Sequence, residues 1–135
     1  MVAVLREETL GIQSDADVVR VRQVTREFAV ALGFRLVDQT KIVTAASELA
    51  RNTFVHGGGG AALLQALEDG GRRGLRLTFT DKGPGIADVP RALVDGYTTG
   101  SGLGLGLGGA RRLSSEFDIV SAAGQGTRVR ITRWK

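Results

Sequence analysis

The segment Leu75-Arg76-Leu77-Thr78-Phe79-Thr80-Asp81-Lys82-Gly83-Pro84-Gly85 reads as a strand running into a turn. Leu75, Leu77 and Phe79 alternate with Arg76, Thr78 and Thr80, the period of a strand buried on one face. Asp81 continues the apolar parity. A carboxylate is therefore placed where an unpartnered charge is costly. Two readings of the junction stay open on residues alone. It is a D-x-G turn that ends a strand, or it is a carboxylate awaiting a ligand amine. In the second reading Gly83 and Gly85 let the backbone approach a flat ring closely.

Working outward, residues 61–68 form a strand that pairs with 74–80 through Asp69-Gly70-Gly71. Residues 2–12 alternate weakly and suit an edge strand. Ser14 followed by Asp15 and Asp17 marks a helix start. Val18, Val21, Val24, Phe28 and Leu32 give that helix its apolar spacing, and Gly33 suits its C-terminal cap. A second helix runs from about Asp38 to Val55, with Ile42, Ala45, Ala46 and Leu49 on its apolar face. Residues 82–109 hold nine glycines and both prolines, a long loop turning into a helix near Gly108–Ser115. Residues 116–122 and 127–134 pair as the last strands. The order β-α-α-β-β-loop-α-β-β predicts one α+β domain over residues 1–135, a two-layer α/β sandwich with helices on one face of a mixed sheet.

Composition narrows the functions. The 135 residues include no cysteine and one histidine, which excludes disulfide frameworks, thiolate zinc sites and thiol nucleophiles. No apolar run approaches the ~20 residues that span a bilayer. The start MVAVLREETL carries acids where a signal peptide is apolar. The expectation is a soluble, cytoplasmic protein with no membrane partner. A net charge of +4 raises nucleic acid as a partner. The arginines are scattered, mostly singly, aromatic residues are 5%, and no nucleic-acid-reading motif appears, so none is expected. A basic surface of this kind suits an acidic protein partner.

Glycine-rich loops suggest phosphates, and several types are excluded. A Walker loop needs Gly-Lys-Ser/Thr, and none of Lys41, Lys82 and Lys135 follows such a loop. Gly104-Leu105-Gly106-Leu107-Gly108-Gly109 matches G-x-G-x-x-G, but no strand precedes it, as a dinucleotide site requires. There is no H-R-D or D-F-G and no G-x-S-x-G.

Three further pieces remain. Glu48 and Asn52 are four apart and share one face of the second helix. They offer oxygen ligands of the kind Mg²⁺ takes, with water and phosphate completing the shell. The same pair equally suits a solvated Glu and a helix-ending Asn. Ser101-Gly102-Leu103-Gly104-Leu105-Gly106-Leu107 alternates Gly and Leu and leads into a helix whose N-terminus can hold phosphate oxygens. The plainer reading is a low-complexity loop. In Gly126-Thr127, Thr127 shares parity with Val129 and Ile131, so its hydroxyl can meet Asp81 or the same ligand, or simply fill a strand.

In this order the pieces resemble the GHKL ATPase superfamily of histidine kinases, gyrase, Hsp90 and MutL. Glu48/Asn52 resemble its N box, Asp81-Lys82-Gly83-Pro84-Gly85 its G1 box, and Gly102–Gly106 its G2 box, with Gly126-Thr127 as closing motif. The small size, Ser47-Glu48-Leu49-Ala50-Arg51-Asn52, Asp95-Gly96-Tyr97 and the ending Arg133-Trp134-Lys135 are similar to the bacterial anti-sigma serine/threonine kinases, and among these to the stressosome switch kinases. The resemblance implies a Bergerat fold that binds ATP and Mg²⁺. It implies Glu48 as the base that orients the attacking hydroxyl and Asn52 as the Mg²⁺ ligand. Asp81 would accept from the adenine amino group with Thr127 in support, and Gly83 and Gly85 would line the adenine pocket. Gly102, Leu103, Gly104, Leu105 and Gly106 would hold the phosphates. The implied reaction moves the γ-phosphate to a Ser or Thr of a STAS-domain antagonist in the stressosome. The kinase then leaves to activate a PP2C-type phosphatase. Residues 86–106 would form a nucleotide-responsive lid. Unlike related sigma-binding kinases, Asp95–Ser101 carries no basic residue, so Arg51, Arg111, Arg112 or the partner would supply the cation, or turnover is slow. The alternatives are an anti-sigma factor that binds sigma directly, and a nucleotide-gated binding module without transferase activity.

Overall fold

The computed structural model describes residues 1–94 and 106–135. The first strand, β1 (Val2–Ile12), spans the expected residues. Ser14 then caps α1 (Asp15–Ala31), its side chain accepting from the Asp17 N–H. Gly33, at φ 83°, takes the left-handed position beyond the helix end that favours glycine. The next helix, α2 (Leu36–Val55), starts two residues before the expected Asp38, because the residue at its N-cap, Arg35, has no side-chain acceptor to mark the boundary. Two strands, β2 (Gly60–Asp69) and β3 (Arg72–Asp81), meet at Gly70-Gly71, both with positive φ, the two-residue turn whose twist suits a hairpin.

A one-turn helix the sequence reading passed over, α3 (Val89–Ala92), follows. Its signal was present: Asp88 accepts from the Arg91 N–H, with Pro90 in the first turn. The next helix, α4 (Gly106–Arg112), begins before the expected Gly108, and β4 (Glu116–Ser121) and β5 (Thr127–Trp134) complete the chain.

The strands form one sheet in the order β1-β2-β3-β5-β4. The two-layer α+β class stands, but the expected mixed sheet does not. Every neighbouring pair is antiparallel. Two helices, not one, separate β1 from β2, so the chain re-enters the sheet at the end where it left, and a parallel neighbour needs an odd number of such crossings. Ala62, Leu64 and Ala66 of β2, Leu75, Leu77 and Phe79 of β3, and Val129 and Ile131 of β5 pack against Val21 and Phe28 of α1 and Ile42, Ala46 and Leu49 of α2. The other face mixes polar side chains with Leu63 and the buried Leu67. There Arg76 donates to Gln65 at 2.9 Å, and Gln65 to Glu7 at 2.8 Å, crossing three strands.

The first turn of α2 is clamped to the last strand. Arg133 Nη2 donates to Asp38 Oδ1 at 2.7 Å, and Nη1 to the Leu113 carbonyl just past α4 at 2.9 Å. The hydrogen bond from Arg133 lowers the Asp38 pKa, burial opposes it, and the charges of Arg133, Arg35 and Lys41 add to the lowering. Replacing Arg133 strands a carboxylate and a carbonyl, so Arg133→Met should lower stability at neutral pH by about 1–3 kcal/mol. A depressed Asp contributes stability above its unfolded pKa of about 3.9 and loses it as pH falls through the folded value. In urea unfolding, the gap between wild type and Arg133→Met should be full near neutral pH and shrink below about pH 3.9. A gap that persists undiminished in acid would assign the effect to packing instead.

Candidate functional site

Strand β3 carries Asp81 to the end of the sheet. There it stands between Gly60 of β2 and Thr127 of β5 in the strand register. The parity read from the sequence holds, since Phe79 and Val129, two residues back on each strand, are buried in the core. Helix α2 ends above this edge. Glu48 and Asn52, one turn apart, line the same cavity of about 490 Å³ as Asp81 and Thr127. That volume falls within the roughly 300–1,000 Å³ usual for small-molecule sites.

The glycines define the narrow end. A Cβ on Gly57, just past α2, would lie 2.4 Å from Asp81 Cγ. A Cβ on Gly83 would lie 2.7 Å from Gly57 Cα, so the two backbones are stacked with no room for side chains. Asp81 Oδ1 accepts from the Gly83 N–H at 2.8 Å. Among the described residues, Oδ2 has no donor. The D-x-G turn of the sequence reading is present, closed on one carboxylate oxygen.

The segment after the turn is pinned to the β4–β5 connection. The Gly124 N–H donates to the Pro84 carbonyl at 2.6 Å, and the Ile86 N–H to Ser121 Oγ at 2.8 Å. Ser121 gives its one proton to the Gly126 carbonyl at 3.0 Å, so the 2.8 Å contact between the two hydroxyls is donated by Thr127. Thr127 therefore faces Asp81 in register while its hydroxyl is bonded to Ser121. The sequence reading missed Ser121 and Gly57. A Gly five residues after Asn52 was the available signal for Gly57. Nothing local pointed to Ser121.

Glu48 Oε1 accepts from the Gly106 N–H at 2.9 Å, tying α2 to the first residue of α4. The remaining expected phosphate residues, Gly102, Leu103, Gly104 and Leu105, lie outside the described residues, as does the Asp95–Ser101 stretch and most of the expected lid. The side chains suggested as cations, Arg51, Arg111 and Arg112, are exposed and do not line the cavity; Arg91 of α3, also exposed, does.

The donor set fits a nucleotide and a hard cation that brings its own ligands. Among the described residues there is no group of three or more His, Cys, Asp or Glu that could hold a metal ion. Glu48 and Asn52 alone suit Mg²⁺, which keeps waters and takes phosphate oxygens. No helix among the described residues is long and apolar enough to cross a membrane.

A family model described as histidine kinase-, DNA gyrase B-, and HSP90-like ATPase matches residues 37–135. Serine/threonine-protein kinase RsbT of Bacillus subtilis (strain 168) is 43% identical over 128 residues, covering 95% of this chain and 96% of that protein. Anti-sigma F factor of Thermoanaerobacter sp. (strain X514) is 29% identical over 119 residues, 84% of this chain and 82% of that protein. Among solved structures, the RsbU and RsbW domains from Mycobacterium tuberculosis match in fold, with a TM-score of 0.66 at 23% identity. The match covers 96% of this chain but 33% of that one.

Two glycines test how tightly the pinned segment is built. Gly85 (φ 73°) and Gly124 (φ 77°) share a backbone conformation. A Cβ on Gly85 would sit 2.0 Å from the Ala122 carbonyl, while one on Gly124 meets nothing within 4 Å. Gly124→Ala should lower stability by about 1 kcal/mol, the conformational penalty alone. Gly85→Ala should lower it by at least about 2 kcal/mol more, because the β4–β5 turn must move. Equal losses in urea unfolding would contradict the clamp.

Proposed function

The chain belongs to the histidine kinase-, DNA gyrase B-, and HSP90-like ATPase family, and we propose that within it the protein is a partner-switching serine/threonine kinase. The observation that carries this reading is the arrangement of one cavity. An apolar-face carboxylate with one undonated oxygen lies at its glycine-walled end, and a Glu/Asn pair on a single helix turn lies along the same cavity. ATP is the substrate these groups suit. Asp81 Oδ2 accepts from the adenine amine, at the end of the cavity where Gly57 and Gly85 line the wall and Gly57, Gly83 and Gly85 let the backbone pack closely. Thr127 holds the wall through Ser121. Asn52 is the protein ligand for Mg²⁺, which would supply charge compensation at the phosphates. Gly102, Leu103, Gly104, Leu105 and Gly106 are proposed to lie along the phosphates.

Glu48 is the proposed base. It orients the Ser or Thr hydroxyl of the protein substrate and takes its proton as the new O–P bond forms and the bond to the ADP oxygen breaks. For Glu48 to do so, the oxygen now bonded to Gly106, or its neighbour Oε2, must turn toward the incoming hydroxyl. Arg91, on the cavity wall, is the described basic side chain best placed to oppose phosphate charge. The likeness to RsbT over almost the full chain supports the finer reading. In it the substrate is a STAS-domain antagonist of the stressosome, and release from the phosphorylated partner activates a PP2C-type phosphatase in the cytoplasm. Relatives named anti-sigma F factor favour a second reading, direct binding of a sigma factor.

Phosphate transfer to a cognate STAS protein, with nucleotide binding measured alongside, tests the assignment. Asn52→Ala should weaken Mg·ATP far more than metal-free nucleotide. Glu48→Ala should leave binding nearly intact and slow transfer by roughly a hundredfold or more. Loss of nucleotide binding in Glu48→Ala with retention in Asn52→Ala would reverse the two roles.

A further inference from the structure

Ser121 ends β4, the edge strand, in register with Thr127 of β5. Thr127 in turn stands in register with Asp81 of β3. Asp81 and Thr127 line the cavity, and Ser121 is not among its described lining residues. The three form a row across neighbouring strands, with Ser121 one strand beyond the pair that meets the cavity.

A serine oxygen has one proton to give and two lone pairs that accept. Ser121 Oγ has three partners: the Ile86 N–H at 2.8 Å, the Gly126 carbonyl at 3.0 Å and Thr127 Oγ1 at 2.8 Å. Two of these are one-way, since a backbone N–H only donates and a carbonyl only accepts. Gly126 is buried, and a Cβ on it would lie 2.4 Å from the Asp81 carbonyl oxygen, so close backbone packing holds its own carbonyl in place. The Ser121 proton is thus spent on Gly126 and one lone pair on Ile86. The remaining lone pair takes the proton of Thr127. Toward the cavity Thr127 then presents lone pairs alone. An ionised carboxylate also only accepts. The end of the cavity formed by Asp81 and Thr127 therefore shows acceptors and no hydroxyl donor.

We infer that Ser121 is a positioning residue that sets base specificity. By holding the Thr127 proton, it keeps this end of the cavity acceptor-only, so that a purine with a 6-amino group is taken and one with a 6-oxo group is refused. The inference rests on the proposed reading of the cavity as a nucleotide site. An amino group brings protons to both acceptors. A 6-oxo oxygen brings lone pairs and meets lone pairs. A mismatch that leaves buried polar groups unpaired discriminates far more strongly than a mismatch of apolar shape. Without the Ser121 hydroxyl, the Thr127 proton is released. Turned to the Asp81 carboxylate, it competes with the amine. Turned to a 6-oxo oxygen, it pairs with it. Either way the difference between the two bases narrows.

The test measures binding of ATP, inosine triphosphate and the purine triphosphate with no 6-substituent to the full chain with Mg²⁺, by calorimetry. Wild type should bind ATP most tightly and inosine triphosphate least. Ser121→Ala should shrink the preference for ATP over inosine triphosphate by about tenfold or more, whatever it does to the affinity for all three. Ser121→Thr, which keeps the hydroxyl, should retain the preference. Thr127→Val has no proton to redirect, so adding Ser121→Ala to it should leave the preference unchanged. A merely structural role would weaken the three nucleotides together. That result overturns the proposal, as does a loss of preference on Ser121→Ala that is equally large in the Thr127→Val background. Wild type binding inosine triphosphate as well as the unsubstituted purine would also overturn it, a readout that needs no variant to fold. ATP binding with a preference that Ser121→Ala does not move strikes this inference and leaves the nucleotide reading standing. No binding of any of the three by wild type overturns both.

Discussion

A single carboxylate held on the apolar face of a sheet, that of Asp81, constrains everything around it. Its parity with Leu77 and Phe79 puts it at the edge of the core, where an ionised group needs partners. The Gly83 N–H satisfies one oxygen. The other stays open because the chain beyond α2 approaches as bare backbone, with Gly57 so close that any Cβ would strike the carboxylate. The glycines are required by this contact. They keep the cavity narrow at the end where Asp81 sits.

Helix α2 spans the molecule as a rigid bar. Near its first turn, Asp38 is fixed to Arg133, which also holds the carbonyl that follows α4. Three turns on, Glu48 is fixed to Gly106 at the other end of the same short α4. The two helices are therefore tied at both ends, and Leu107 and Ala110 of α4 are buried in the core between these ties. A bar anchored in this way holds Glu48 and Asn52 at a set distance from the edge where Asp81 lies. In the proposed kinase, that fixes the phosphate end of the nucleotide relative to the adenine end.

Much of this was legible in the residues. Alternation in 75–80, the Ser14 cap and the Gly70-Gly71 turn are local signals, and the elements they mark are present. The shared face of Asp81 and Thr127 followed from parity on two strands, whereas their standing opposite one another is set by the β3–β5 register. The strand neighbours were not legible, because the order β1-β2-β3-β5-β4, with β5 beside β3, is set by packing and not by any local signal. The start of α2 was blurred because Arg35 offers no cap. The role of Ser121 was invisible, since its three contacts, with Ile86, Gly126 and Thr127, exist only once β4 and β5 pair and the turn after Asp81 folds back on them. The RsbT-like pattern of boxes carried the functional reading further than any single residue did.

The central claim is that Asp81 Oδ2 recognises the amine of a bound adenine. It is tested most directly by a thermodynamic cycle. Binding of ATP and of the purine triphosphate lacking the 6-amino group is measured for wild type and for folded Asp81→Asn. The account predicts that wild type prefers ATP by about tenfold or more, the worth of one buried polar pair. It predicts that Asp81→Asn loses this preference by weakening ATP alone. A preference for ATP that is the same in both proteins, or absent in wild type, would contradict the account.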